Sequence, residues 1–262
     1  MSSTIAERAV ELSGIRLGYQ EVGQGKPVVF LHGAGGAPPH GASFVAMLGE
    51  HHRLVLPSRP GFDETPIGHC QALRDVVDVM AEFIKAVAGG KAHVVAQSLG
   101  GAVGCWLAIL YPELVESLVL SAPSAFARRH AQAGGQVPTP EEIERRLYGD
   151  DPSWDAPPTE QERQRIARNA RENMARFAAP DGNSELRERL REIKAPTLLI
   201  CSTNDAIVPE EALQPYQQEI PSCTRIFIHG AAHEMPVSAA PRWVRLVSDF
   251  VDRGEYFVVN MG

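Results

Sequence analysis

Short, uninterrupted apolar runs separated by helix-patterned segments constrain this chain more than any other feature. Val28-Val29-Phe30-Leu31, Arg53-Leu54-Val55-Leu56, Ala92-His93-Val94-Val95, Leu118-Val119-Leu120, Thr197 to Cys201 and Arg225-Ile226-Phe227-Ile228 read as buried strands. A strand covered on both faces loses the apolar–polar alternation of a half-exposed one, so these runs belong inside a sheet. Gly14 to Val22 does alternate, and reads as a half-exposed antiparallel strand. Leu73 to Ala88 places Val76, Val77, Met80, Phe83, Ile84 and Val87 at helical spacing and stops at Gly89-Gly90. Helices are also expected over Ala42–Gly49, Gly101–Tyr111 and Arg242–Val251. Buried strands alternating with helices imply an α/β fold, a mostly parallel twisted sheet flanked by helices and joined by right-handed crossovers.

The strand signals vanish between Ala125 and Lys194. Thr139-Pro140-Glu141-Glu142 combines an N-cap, a proline at the first helical position and a glutamate spaced for a capping box. Thr159-Glu160-Gln161-Glu162 repeats the box and opens a long helix with Ile166, Ala170, Met174 and Phe177 along one face. The expected organisation is one core domain, residues 1–124 and 195–262, with residues 125–194 as a helical cap. Packing on the core accounts for part of that apolar face. A cap also lines a pocket, so Tyr148, Trp154 and Phe177 are candidates for substrate contact.

A length of 262 residues suits one such domain with an insertion. The net charge of −7 and the lack of a basic cluster argue against nucleic acid as a partner. Arginines between Arg163 and Arg176 alternate with Glu162 and Glu172, the pattern of a solvated helix face. Cys70, Cys105, Cys201 and Cys223 lack the spacing of a zinc site, so no metal or cofactor is expected. Glu7 and Arg8 stand where a signal peptide needs an apolar core, and no run reaches membrane-spanning length. The expectation is a cytoplasmic protein with no membrane partner. The stretch Tyr256-Phe257-Val258-Val259 is apolar and can pair as a strand or meet a second chain, which leaves the oligomeric state open.

The chemistry gathers at Ala96-Gln97-Ser98-Leu99-Gly100-Gly101, between a buried strand and a helix. A serine on a sharp strand-to-helix turn, with small residues two before and two after it, has the pattern of a nucleophile elbow. The bland alternative is an ordinary turn with Ser98 as an N-cap. A serine hydroxyl needs a base, and the base usually needs a carboxylate. Partners belong in loops just after strands, because ligands of such sheets bind beyond the strands' carboxyl ends. Asp205 follows the strand ending at Cys201, and His233 follows the strand ending at Ile228. The order serine, aspartate, histidine is the one expected of this triad on such a fold. Gln97 and Met235 flank these positions as further pocket candidates. The loop His32-Gly33-Ala34-Gly35-Gly36 can bring backbone N–H groups close to a ligand. His51 and His52 lie at the wrong end of the sheet, His32 is read as shaping its loop, and Asp63 is read as a loop surface charge in preference to a substrate contact.

Taken together, His32-Gly33, Pro57-Ser58-Arg59-Pro60-Gly61, the Ser98 turn, Asn204-Asp205-Ala206-Ile207-Val208-Pro209 and Ala232-His233 resemble the α/β-hydrolase family over nearly the whole chain. The resemblance implies a serine hydrolase acting on a small-molecule ester or lactone, with Ser98, His233 and Asp205 as catalytic triad. It also implies an oxyanion hole from the backbone N–H groups of Ala34 and Leu99. Three departures concern that pattern. Ala96 stands where glycine is commoner, Ala231-Ala232-His233 replaces a frequent glycine–histidine pair, and Phe62-Asp63-Glu64 stands where relatives often keep a glycine and a serine. Alternatives on the same fold are a C–C bond hydrolase of ring-cleavage products, where a tryptophan often follows the histidine that Glu234 follows here, and a thioesterase or perhydrolase. An alternative of another class is a binding protein that retains the triad without turnover.

Overall fold

The computed structural model describes residues 4–127, 139–177 and 183–256. Residues 257–259 of the apolar tail, and parts of the expected cap segment, lie outside these. Eight strands form one sheet: β1 (Ala6–Leu12), β2 (Ile15–Val22), β3 (Pro27–Leu31), β4 (Arg53–Pro57), β5 (Ala92–Gln97), β6 (Val115–Ser121), β7 (Thr197–Ser202) and β8 (Cys223–Ile228). Their spatial order is β1-β2-β4-β3-β5-β6-β7-β8. β2 is antiparallel to both neighbours, and β3 through β8 pair in parallel.

β1 is an addition to the expected strands. It is an edge strand with only Leu12 buried, joined to β2 by the two-residue turn Ser13-Gly14 with φ of 48° and 78°. Positive φ at both central residues matches the right-handed twist of a hairpin.

The apolar runs of β3 to β7 are buried on both faces, with alternate residues going to opposite sides. β8, expected to be buried as well, has a neighbour on one side only: among its residues Ile228 alone is buried and Phe227 is 46% exposed. Val29, Leu31, Val94, Ala96, Leu118 and Leu120 join the core under α2 (Leu73–Val87) and α3 (Gly100–Leu110). Val28, Phe30, Leu54, Leu56, Val95 and Val119 join the core on the other face, with Trp243 and Val247. That second core is covered by α1 (Ser43–Gly49), α8 (Met235–Ser238) and α9 (Ala240–Arg253). α3 is buried from Gly100 to Ile109, which is why it is apolar all round.

Between β6 and β7 lie α4 (Pro140–Tyr148), α5 (Glu160–Arg176) and α6 (Ser184–Arg189), and α7 (Gln214–Glu219) follows β7. Thr159 and Glu162 form the expected capping box of α5. At α4, Thr139 accepts the N–H of Glu142, but the Glu142 carboxylate turns to Arg146 instead of back to the cap.

The buried face of α5 differs from the expected stripe. Asn169, Asn173 and Phe177 are buried, Ile166 and Ala170 are half-buried, and Met174 is 42% exposed. The helix is rotated because it rests on loops that need hydrogen-bond donors. Asn169 Nδ2 donates to Gly35 O at 3.0 Å and Asn173 Nδ2 to Gly61 O at 2.9 Å. A hydrocarbon face would leave those carbonyls unpaired. The chain reverses its direction of sheet growth between β3 and β5, and a crevice opens beyond their carboxyl ends. No helix among the described residues is long and apolar enough to cross a membrane.

Candidate active site

Ser98 terminates β5 in the left-handed region, with φ of 51°. A non-glycine residue holds that conformation only when its surroundings impose it. Here Ser98 N–H donates to Ser121 O at 3.0 Å, while Ser98 O accepts from Gly101 N at 2.9 Å and Ser124 N at 3.1 Å. The turn is so tight that a Cβ on Gly100 would lie 2.3 Å from Leu31 O. Ala96 is accommodated across the helix, where a Cβ on Gly104 would meet the Ala96 methyl at 2.8 Å. The methyl that departs from the commoner glycine is therefore matched by a glycine one helix away.

Ser98, His233 and Asp205 form one hydrogen-bonded chain. Ser98 Oγ lies 2.9 Å from His233 Nε2, and His233 Nδ1 lies 2.8 Å from Asp205 Oδ2. The other Asp205 oxygen accepts the N–H groups of Ile207 and Val208 at 2.8 Å each, which aims Oδ2 at the imidazole. Nδ1 therefore carries a proton donated to aspartate, and Nε2 is free to accept the serine proton. The His233 and Asp205 side chains are 1% and 3% exposed. Burial opposes charging of His233, but its hydrogen bond to Asp205 and the charges of Asp205 and Glu234 prevail, so its pKa is raised above 6.5. Gln97 Nε2 donates to His233 O at 3.0 Å, tying the loop after β8 to β5.

The loop after β3 is set from behind by a buried arginine that sequence reasoning passed over. Arg59 Nη2 donates to His32 O at 2.7 Å and Gly33 O at 3.0 Å, and Arg59 N–H donates to His32 Nε2 at 3.2 Å. With Nε2 accepting, His32 Nδ1–H donates to Gly33 O at 2.8 Å. Burial and the Arg59 charge hold His32 down to about 3, so it stays neutral. A trans peptide points its N–H opposite its carbonyl. Pinning Gly33 O toward Arg59 thus turns Ala34 N–H away from it. Among the described residues neither the Ala34 nor the Leu99 N–H is spent on a turn or loop hydrogen bond.

Asp63, expected as a surface charge, is instead half-buried within a clamp. Its carboxylate accepts from Ser58 Oγ at 2.6 Å, Ala37 N at 3.0 Å and Asn169 Nδ2 at 2.8 Å, and pairs with Arg165. Burial resists its ionisation, but the Arg165 charge and these donors outweigh that and lower its pKa. Arg165 is correspondingly not part of a wholly solvated face, its side chain being 20% exposed.

Beside the Gly33 loop lies a cavity of about 40 Å³ whose walls include Phe30, Phe44, Tyr148, Ile166, Glu234 and Val237. Of the pocket candidates, Tyr148 reaches this wall. Trp154 stacks edge-on against Tyr148 at 5.1 Å and bridges to Ala42. Phe177 and Met235 are buried in the cores on opposite faces of the sheet. Glu234 was legible only as the residue following His233.

A family profile described as the alpha/beta hydrolase family matches residues 28–245. Over 257 residues the chain is 29% identical to a pimeloyl-[acyl-carrier protein] methyl ester esterase of Aeromonas salmonicida (strain A449), covering 88% of this chain and 98% of that one. Over 123 residues it is 35% identical to a 2-hydroxy-6-oxo-6-(2'-aminophenyl)hexa-2,4-dienoic acid hydrolase of Metapseudomonas resinovorans, spanning 45% of this chain and 42% of that one. The fold matches a serine hydrolase involved in carbazole degradation with TM-score 0.72, at 22% identity over 95% of this chain and 99% of that one.

Proposed function

Because the chain belongs to the alpha/beta hydrolase family, we propose that it is a serine hydrolase that cleaves a carboxylic ester or lactone through an acyl-enzyme. The observation that carries this reading is the unbroken chain Ser98 Oγ–His233–Asp205, with contacts of 2.9 and 2.8 Å. Ser98 Oγ attacks the carbonyl carbon as His233 Nε2 takes its proton. The tetrahedral oxyanion is held by the N–H groups of Ala34 and Leu99, and each such donor typically stabilises the transition state by about 3 kcal/mol. The protonated imidazole, paired with Asp205, then gives its proton to the departing alcohol. Water repeats the sequence to release the acid. In this reading residues 125–194 act as a cap, with α5 seated on the Gly35 and Gly61 carbonyls and Tyr148 of α4 on the cavity wall.

The full-length similarity to a methyl ester esterase supports ester chemistry. The similarity to dienoic acid hydrolases, over 45% of this chain in one relative and 91% in another, supports a second reading, cleavage of a C–C bond in an acidic ring-cleavage product by the same triad. Treatment with a fluorophosphonate followed by intact-mass measurement tests the nucleophile. One adduct is expected on the wild type and none on Ser98→Ala. A folded wild type that takes no adduct would favour a binding protein without turnover. A panel of p-nitrophenyl esters, lactones and a vinylogous diketo acid then separates the two chemistries.

A further inference from the structure

Immediately after His233 the chain places a carboxyl group in the cavity, and nothing in the triad requires it. A methyl built on Gly33 would lie 3.2 Å from Ser98 Cβ and 3.3 Å from Glu234 Oε1. The carbon bearing the nucleophile and the glutamate oxygen therefore flank one point above the loop after β3. Backbone bonds fix the root of this side chain. Glu234 N–H donates to Leu147 O of α4 at 2.7 Å, and Glu234 O accepts from Val237 N at 2.9 Å and Ser238 N at 2.8 Å. No hydrogen bond ties its carboxyl to another described residue.

The rest of the wall supplies no counter-charge. Phe30, Phe44, Ile166 and Val237 are apolar, Tyr148 is a phenol, and His32 accepts the Arg59 N–H and stays neutral. The nearby arginines do not line this wall. Arg165 pairs with Asp63 and donates to Ala37 O, Arg163 pairs with Glu144, and Arg59 spends Nη2 on the carbonyls of His32 and Gly33 while its buried Nε and Nη1 find no partner among the described residues. Burial raises the Glu234 pKa above the usual glutamate value, with the His233 charge opposing that shift. Above this pKa an anionic group entering the cavity would lose its water and meet a carboxylate instead of a cation. An uncharged group would find apolar contacts, and a cationic group would find a partner.

We propose that Glu234 sets the charge class of the substrate, turning away esters that carry an anionic group into the cavity and accepting neutral or cationic ones. This rests on the serine-hydrolase reading and deepens it, since it disfavours the acidic ring-cleavage products of the second reading.

Two matched pairs of esters test it, each normalised to its rate of alkaline hydrolysis. Mono-4-nitrophenyl adipate against its methyl ester places the charge on the acyl side. The acetate of 4-hydroxybenzoate against the acetate of its methyl ester places it on the alcohol side. In at least one pair, wild-type kcat/KM should favour the neutral ester by about tenfold or more, the size expected of a like charge at short range near a protein surface. Glu234→Gln, which keeps the shape and removes the charge, should close most of that gap by raising the relative kcat/KM of the charged ester. A Glu234→Gln ratio equal to wild type in both pairs, or a parallel fall on charged and neutral esters, overturns the proposal. If the variant does not fold, wild-type ratios decide alone, and equal turnover within both pairs overturns it. Failure of folded wild type to hydrolyse any ester would instead sink the serine-hydrolase reading, and this one with it.

Discussion

The clamp at Asp63 joins stability to activity, and removing its charge should weaken both. The Asp63 and Arg165 side chains are 12% and 20% exposed, so the pair is largely withdrawn from water. Breaking a buried pair from one side costs about 3–5 kcal/mol, because the surviving charge stays desolvated. The residual exposure places Asp63→Asn near the lower end, at about 3 kcal/mol. For a chain of this size that corresponds to a melting temperature lower by about 6–12 °C. A double-mutant cycle with Arg165→Met, read by urea denaturation, isolates the pair. A coupling energy below about 1 kcal/mol, the range of exposed pairs, would refute the reasoning.

The same substitution should reach the loop after β3, the proposed oxyanion loop. Asp63 accepts the Ala37 N–H, and Asn169, which holds Gly35 O, also donates to Asp63. Loosening these bonds misplaces the Gly33–Ala37 segment, and an ångström of misplacement can cost about a hundredfold in rate. A fall in kcat of about tenfold to a hundredfold is therefore expected. The folded Asp63 has a lowered pKa, so its contribution to stability is present above the unfolded aspartate value and is lost as pH falls through the folded one. Wild type should lose stability in that acid range more steeply than Asp63→Asn.

Two further outcomes follow from the site. In the proposed mechanism His233 must be neutral to accept the Ser98 proton and its pKa is raised above 6.5, so the acid limb of kcat/KM should have its midpoint above 6.5, and Asp205→Asn should move it lower in whatever activity remains; a wild-type midpoint below 6.5 would contradict the electrostatics. Gly104→Ala should destabilise by about 1–3 kcal/mol through overpacking, since its methyl would meet Ala96 Cβ at 2.8 Å, and Ala96→Gly should restore most of the loss in a denaturation experiment.

The positions of Ser98, Asp205 and His233 were legible because each closely follows a strand whose apolar run is itself legible. Ser98 follows β5, Asp205 lies three residues after β7, and His233 five residues after β8. Local chemistry carries such inferences, since a strand's end and a loop's start are adjacent in the chain. β1 was less legible because an edge strand buries little, and only Leu12 among its residues is fully covered. The Ser13-Gly14 dipeptide was nonetheless a turn signal that marked its end.

What escaped the sequence is polar and distant. Asp63 meets Arg165 across 102 positions, and Arg59 meets His32 across 27. No periodicity links such partners, and a charged residue in a Pro- and Gly-rich loop reads as solvated until its partner is known. The rotation of α5 has the same origin. Counting apolar residues favoured Ile166, Ala170, Met174 and Phe177, whereas the loops beneath offered carbonyls that amides satisfy and methyls cannot. The elements that hold the crevice in shape are thus buried polar groups, each costly to leave unpaired. A substitution that removes one member of the Asp63–Asn169–Arg165 set should accordingly disturb the loop after β3 more than an exposed apolar residue such as Met174 would. Comparing hydrogen exchange at Gly35–Ala37 in Asn169→Leu and Met174→Ala tests that ordering, and equal protection in both would count against it.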